Sequence, residues 1–242
     1  MRLRLRGWMK DGLVLVYRTP AGTVRDLLPE GLNLLVRNGN AFWNIAISQV
    51  QALRPWGLPP WAGFECAMVT CGLNVSMQTP TGKRIRGLYP IRSDADPRFL
   101  WFLGKDSLGF EIHRSAIEFR QKENRLIVTV DSQQDDQGHA YLSVALEEPA
   151  TMALESWDLL THPGLLISRD KWLSRVHFAE MIHDSLFPWK PVEVQEARWN
   201  LFRNLDQEQA VLEMACRIEP AEFTWTVGEY AEMQTHPTAV AL

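Results

Sequence analysis

The stretch SDADPRFLWFLGKDSLGFEIHRS, residues 93–115, predicts a capped and almost wholly apolar helix that turns through Gly109-Phe110 into a strand. Asp94 or Asp96 supplies a carboxylate for the first free amides, Pro97 suits the first helical position, and Gly109 suits the exit. Inside the helix only Arg98, Lys105 and Asp106 are charged, while Phe99, Leu100, Trp101, Phe102, Leu103 and Leu108 cover most of its circumference. Such a helix must be enclosed by the rest of the protein. Its exit brings an apolar wall up to Glu111, His113 and Arg114, and the chemistry of the chain is expected there.

The segments around this helix read as strands. Residues 67–78 and 85–92 flank the turn Pro80-Thr81-Gly82-Lys83 as a hairpin. In its first strand Ala67, Val69, Cys71, Leu73, Val75 and Met77 share one parity, and Thr70, Gly72, Asn74 and Ser76 share the other. One face is therefore core, and the small polar face is assigned to the surface rather than to a wet cavity. Farther upstream, residues 13–17 form a strand, 23–28 a short helix, and 32–36 and 41–50 a hairpin around Arg37-Asn38-Gly39-Asn40, because Asn-Gly between apolar runs is a strong hairpin signal. The segment from Arg54 to Trp61 carries three prolines without amide donors, so it is read as a surface loop holding two tryptophans. Downstream of the helix, strands are expected at 112–122, 125–132, 140–146, 172–183, 192–203 and 222–230. Helices are expected from Pro149 to about Leu160 and, capped by Asp206, over 207–216. About ten strands with helices set among them predict an α+β, mainly β architecture, an antiparallel barrel or cone, and not alternating βαβ units.

Composition narrows the function. The chain has 242 residues, 46% of them hydrophobic, and no stretch resembling a linker, so residues 1–242 are read as one domain. The formal charge of -4 argues against nucleic acid or an anionic membrane as the main partner. Arg2, Arg4 and Arg6 alternate with Leu3 and Leu5, which reads as a solvated edge strand. Cys66, Cys71 and Cys216 make an odd count without a C-x-x-C pair, and Cys66 and Cys71 point to opposite faces of their strand, so neither a disulfide framework nor structural zinc is expected. No apolar run reaches the roughly 20 residues of a membrane helix, and the first residues lack the apolar core of a signal peptide, which places the chain in the cytoplasm.

Familiar catalytic patterns are missing. There is no nucleophile elbow, phosphate-cradling loop, dinucleotide fingerprint or H-E-x-x-H, and no cofactor is called for. His183-Asp184-Ser185 holds the residue types of a triad, but consecutive side chains diverge. His177 and His183 are about 20 Å apart along a strand, too far for one metal. His113 stands out: with Ser115, Ile117 and Phe119 it shares the apolar face of its strand, opposite Arg114. A partly desolvated imidazole can serve as acid or base, and the plainer alternative is a core histidine bonded to a backbone carbonyl.

YRTPAGTVRDLLPEGLNL at 17–34, LNV at 73–75, SDADPRFLWF at 93–102 and LGFEIHRSA at 108–116 together resemble the YqjF-like family, which is similar to the acetoacetate decarboxylase superfamily. The resemblance covers roughly residues 14–147, and HFAEMIHDSLFPWKPVEV follows it more loosely. It implies the acetoacetate decarboxylase-like fold, a cone-like antiparallel β-barrel around a cavity with a few helices packed on or in it. In the decarboxylases a glycine-aromatic-proline corner precedes two lysines, the first of which forms a Schiff base with the substrate ketone. Here Gly109-Phe110 is followed by Glu111, Ile112 and His113, so the resemblance implies a container without imine chemistry, and Lys105 in the helix is a poor substitute. The glutamate of the decarboxylases aligns with Gly72, and a slipped register would bring Glu65 near.

The expectation is thus a protein that binds a small-molecule ligand, a carbonyl or carboxylate compound, in an apolar cavity. His113 would be its main polar contact, with Arg114, Glu65, Asn74 and Tyr89 as weaker candidates and no metal. One rival is an enzyme with His113 as its catalytic acid or base. The other is a filled barrel serving as an interaction protein, with the tryptophan loop of residues 56–61 as its contact. A homo-oligomer is compatible with either.

Overall fold

The computed structural model describes residues 3–78, 82–96, 111–134, 138–147, 165–169, 175–182 and 189–232. Strand dominates them. In chain order the strands are β1 (Leu3–Pro20), β2 (Asn33–Leu34), β3 (Asn40–Pro55), β4 (Phe64–Gln78), β5 (Arg84–Asp96), β6 (Ile112–Lys122), β7 (Arg125–Ser132), β8 (His139–Ala145), β9 (Leu165–Arg169), β10 (Arg175–Ile182), β11 (Trp189–Pro191), β12 (Glu193–Arg198), β13 (Val211–Ile218) and β14 (Ala221–Glu232). Helix within the described residues is confined to short 3-10 turns at Ala21–Thr23, Arg25–Leu27 and Pro60–Ala62. The bodies of the two longer helices expected from the sequence, 97–109 and 149–160, lie outside the described residues.

The strands form one sheet in the order β12-β8-β7-β6-β5-β9-β10-β14-β1-β3-β4-β2, with β13 and β11 joined beside β1. β5 has three neighbours, because besides β6 and β9 it also bonds β4 along most of its length. The pairings are antiparallel except β5 with β6 and β5 with β9, which are parallel. A parallel pair needs a long connection in the chain, and β5 and β6 are separated by 15 residues, from Asp96 to Ile112.

Local signals held where they were self-contained. Asn38 and Gly39 have φ of 51° and 78°, and Arg37 and Asn40 exchange backbone bonds at 3.0 Å, the geometry of a two-residue hairpin turn. The strand before that turn is short, however, and β2 pairs with β4 rather than with β3. β6 and β7 meet through Glu123-Asn124, with Glu123 at φ 53°.

Other expectations change, each through tertiary pairing. The amino-terminal residues do not form an edge: β1 is bonded by β14 and β13 on one side and by β3 on the other. Arg6 pairs with Glu222 at 2.5 Å, and the Arg4 guanidinium lies 4.3 Å from the centre of the Trp56 ring. Asp206 does accept from the Glu208 amide at 3.0 Å, yet no helix follows. Val211 onward pairs with β1 instead, and the six-residue β12 ends at Arg198, well before Arg203. Asp94 is no helix cap, since β5 continues through it to Asp96 with Val69 on one side and His113 on the other.

Both faces of the sheet are covered. One core joins Leu13, Leu15, Trp43, Ile45, Val69, Cys71 and Leu73 to Val128, Leu142, Val144, Trp199 and Leu201. The other holds Leu5, Met9, Val14, Val16, Val50, Cys66, Leu88, Ile112, Cys216 and Phe223. Cys66 and Cys71 do lie on opposite faces, and all three cysteines are free and buried. The polar parity of β4, expected at the surface, is buried as well. Its groups bond one another or neighbours: Asn44 Nδ2 donates to Asn74 Oδ1 at 2.8 Å, the Thr70 and Ser93 hydroxyls lie 3.0 Å apart, and Arg84 donates to Ser76 at 3.1 Å. Each of these side chains has a polar partner, although Asn44 Oδ1 and Asn74 Nδ2 are buried without one.

Candidate functional site

Where β5 and β6 run side by side, their ends and the turn after β12 enclose a partly open cleft of about 230 Å³. Its wall is Trp43, Cys71, Ile91, Arg92 and His113 from the sheet, and Leu201, Phe202, Arg203, Asn204 and Leu205 from the turn. The turn is held in place by backbone bonds from Leu201 to His139, Phe202 to Trp199 and Leu205 to Phe202. Trp199 stacks on Phe202 at 5.7 Å between ring centres and donates its indole N–H to the Tyr17 hydroxyl at 2.8 Å, which fixes the turn to β1.

Beneath the cleft lies a buried ion pair. Asp94 is fully buried and accepts from Arg92 Nε at 2.9 Å, Arg92 Nη2 at 3.2 Å and the Ser115 hydroxyl at 2.7 Å. Strand register explains the cluster: Asp94 sits opposite His113 in the parallel pair, Ser115 follows two positions along β6, and Arg92 precedes by two along β5. Arg92 Nη2 also donates to Ser132 Oγ at 3.2 Å. His113 is half-buried, and its Nδ1 lies 3.0 Å from the Gln134 side-chain oxygen.

Burial raises the Cys71 thiol well above its ordinary range, and the Asp94 carboxylate adds to that; the residue is a thiol, not a ready nucleophile. Burial likewise raises Tyr17, with Cys71 adding to the rise and the Trp199 bond opposing it.

Of the five residues singled out from the sequence, the cleft contains one, His113. Arg114 projects to the opposite face of β6. Asn74 is buried on the other face of β4, bonded to Asn44. Glu65 is exposed at the far end of β4, 3.5 Å from Gln51. Tyr89 packs against the first core without lining the cleft. The residues missed were Arg92, Arg203, Cys71 and Trp43. Arg92 adjoins the quoted stretch, and its alternation with Asp94 was the available signal. Nothing local ties Arg203 to either.

Among the described residues the lysines are Lys10, Lys83, Lys122 and Lys190; all are exposed and none lines the cleft, while Lys105 lies outside those residues. The described residues hold no group of three His, Cys, Asp or Glu side chains placed to bind a metal, and no helix among them is long and apolar enough to cross a membrane.

No family model matches this sequence, and no curated protein matches it. Solved structures do. An acetoacetate decarboxylase from Legionella pneumophila superposes with a TM-score of 0.67 at 11% identity, over 94% of this chain and 86% of that one. An acetoacetate decarboxylase-like enzyme from Sphingomonas wittichii RW1 gives 0.62 at 13%, over 95% and 92%. The enduracididine biosynthesis enzyme MppR, complexed with pyruvate, gives 0.59 at 13%, over 97% and 91%. At such identities the likeness speaks to architecture alone, and on that ground the chain has an acetoacetate decarboxylase-like fold.

Proposed function

We propose that this chain binds a small organic carboxylate in the cleft beside His113, as a single domain of the YqjF-like kind that works without a Schiff-base lysine. The observation that carries the reading is the make-up of the cleft wall. Two guanidiniums and an imidazole stand among Trp43, Ile91, Leu201, Phe202 and Leu205, with the Asp94 carboxylate behind them. An apolar pocket with a few convergent polar groups is the usual form of a small-molecule site, and the excess of cationic groups suits an anion. The volume fits a molecule of a few carbons. MppR, of the same fold, was crystallised with pyruvate.

A cone-like barrel is part of this proposal. Its support is that β4 and β9 both bond β5, so the ladders running β5-β9-β10-β14-β1-β3-β4 return to β5. We place the protein in the cytoplasm, in keeping with three free, buried cysteines.

A melting screen of short carboxylic acids tests the reading, because a ligand of the native state alone raises the midpoint. At least one acid is expected to do so, and His113→Ala and Arg203→Ala to weaken the shift. A flat screen, with no acid raising the midpoint, would remove the proposal. Borohydride in the presence of a 3-oxo acid should label no lysine; label on Lys105 would restore the imine chemistry. The enzyme reading, with His113 as acid or base, is favoured by the bond from His113 to Gln134, since an oriented imidazole is what proton transfer requires. His113→Ala would then abolish turnover of a bound acid as well as weaken its binding.

A further inference from the structure

If the cleft takes a small carboxylate, the hydrogen-bond character of its wall decides which one. Nearly every polar group there donates. The Arg92 and Arg203 guanidiniums and the Trp43 indole are donors only, and burial keeps the Cys71 thiol protonated. Asn204, at the exposed rim, offers both a donor and an acceptor.

His113 differs. Its Nδ1 lies 3.0 Å from Gln134 Oε1, and an amide oxygen accepts but never donates. A neutral ring bonded in this way carries its proton on Nδ1 and keeps a lone pair on Nε2. The backbone around Gln134 is held at two points. Its backbone N–H reaches Ser132 Oγ at 3.4 Å, and the Gln133 N–H donates to the Arg114 carbonyl at 2.9 Å. Ser132 Oγ also receives Arg92 Nη2, so one run of hydrogen bonds joins His113, Gln134, Ser132, Arg92 and Asp94.

We propose that Gln134 is a positioning residue, which by fixing the His113 tautomer makes the cleft prefer hydroxy carboxylates to the corresponding oxo carboxylates. The carboxylate of either acid suits a wall of donors. A hydroxyl on the adjacent carbon can donate to Nε2, whereas a ketone oxygen sets lone pair against lone pair. A site arranged to receive a donor rejects the analogue that lacks one. The alkyl part of the ligand lies along Ile91, Leu201 and Phe202.

The test is calorimetric titration with 2-hydroxy-4-methylpentanoate and 2-oxo-4-methylpentanoate, two acids of nearly the same shape. One hydrogen bond corresponds to about a tenfold difference in Kd. The wild-type protein should bind the hydroxy acid about tenfold tighter. Gln134→Met should bind both within about threefold of each other. Gln134→Glu, whose carboxylate favours the doubly protonated ring, should lose the preference, because Nε2–H then donates to a hydroxyl or a ketone oxygen alike. A proton–nitrogen correlation spectrum, with His113 identified by its loss in His113→Asn, should place the wild-type proton on Nδ1. Equal affinities in the wild type, or a preference unchanged in Gln134→Met, would overturn the role of Gln134 and leave carboxylate binding standing. Failure of both acids to bind would remove this preference and, together with a flat melting screen, the carboxylate reading as well.

Discussion

Replacing Arg92 by Met should cost this protein more than any comparable change at its surface. The Asp94 carboxylate is fully buried and has three donors, two of them on Arg92, whose own side chain is 16% exposed. Arg92→Met leaves Ser115 as the one donor remaining from that set. Breaking a buried pair from one side costs about 3–5 kcal/mol, since an unpaired buried charge remains. Two lost charge-assisted bonds at about 1.5–3 kcal/mol each give a similar figure. For a domain of this size the loss corresponds to a fall in Tm of about 6–20 °C. Urea unfolding followed by tryptophan fluorescence would measure it, and the double variant Arg92→Met/Asp94→Leu supplies the control. With both charges gone, stability should return to within about 1–2 kcal/mol of wild type, because apolar replacement of a buried pair is close to neutral. A single variant that loses less than about 1 kcal/mol, or a double variant no better than the single, would show that water reaches Asp94 and that the ion pair does not organise this end of the sheet.

Gly87→Ala should separate β9 from β5, because a Cβ there would stand 2.6 Å from the Leu165 carbonyl oxygen and 2.9 Å from Ile167. A loss of about 1–3 kcal/mol, with faster amide exchange in residues 165–169, is the expected result. The bond between Trp199 and Tyr17 joins the cleft turn to β1; Trp199→Phe and Tyr17→Phe should each destabilise, and their double-mutant cycle should show a coupling of about 0.5–1.5 kcal/mol. Burial pushes the Cys66 and Cys216 thiols up to about 12, so iodoacetamide at mildly alkaline pH should modify neither until the protein unfolds. Their folded values lie above the ordinary 9.0, so the stability they contribute is whole below pH 9.0 and is lost as pH rises toward 12; urea midpoints across that range should fall. Early labelling of either thiol in the native protein would count against the depth of the core.

Much of this molecule was legible in its residues alone. β6, its Glu123-Asn124 turn and β7 stand where the pattern put them, the Asn38-Gly39 turn has the dihedrals its sequence demands, and residues 56–61 leave the sheet with Trp61 85% exposed. These are features in which a side chain acts on its own backbone or on a near neighbour. His113 belongs with them, since strand parity alone turned it toward the apolar side.

What the sequence could not decide was who stands next to whom. Asp94 has the residue type of a helix cap and became the buried centre of an ion-pair cluster, because β4 and β6 lie on either side of it. Residues 211–216 follow a capping residue type at Asp206, yet β1 offered them a ladder. Asn74 and Thr70 had the polarity of a surface and were drawn inside with partners supplied by β3 and β5. Arg203 reaches the cleft on a turn that the Trp199–Tyr17 bond and the Leu201–His139 bond hold against the sheet. Local backbone preference is written in each segment, but pairing free energy depends on segments far apart in the chain, and the site is made from those pairings.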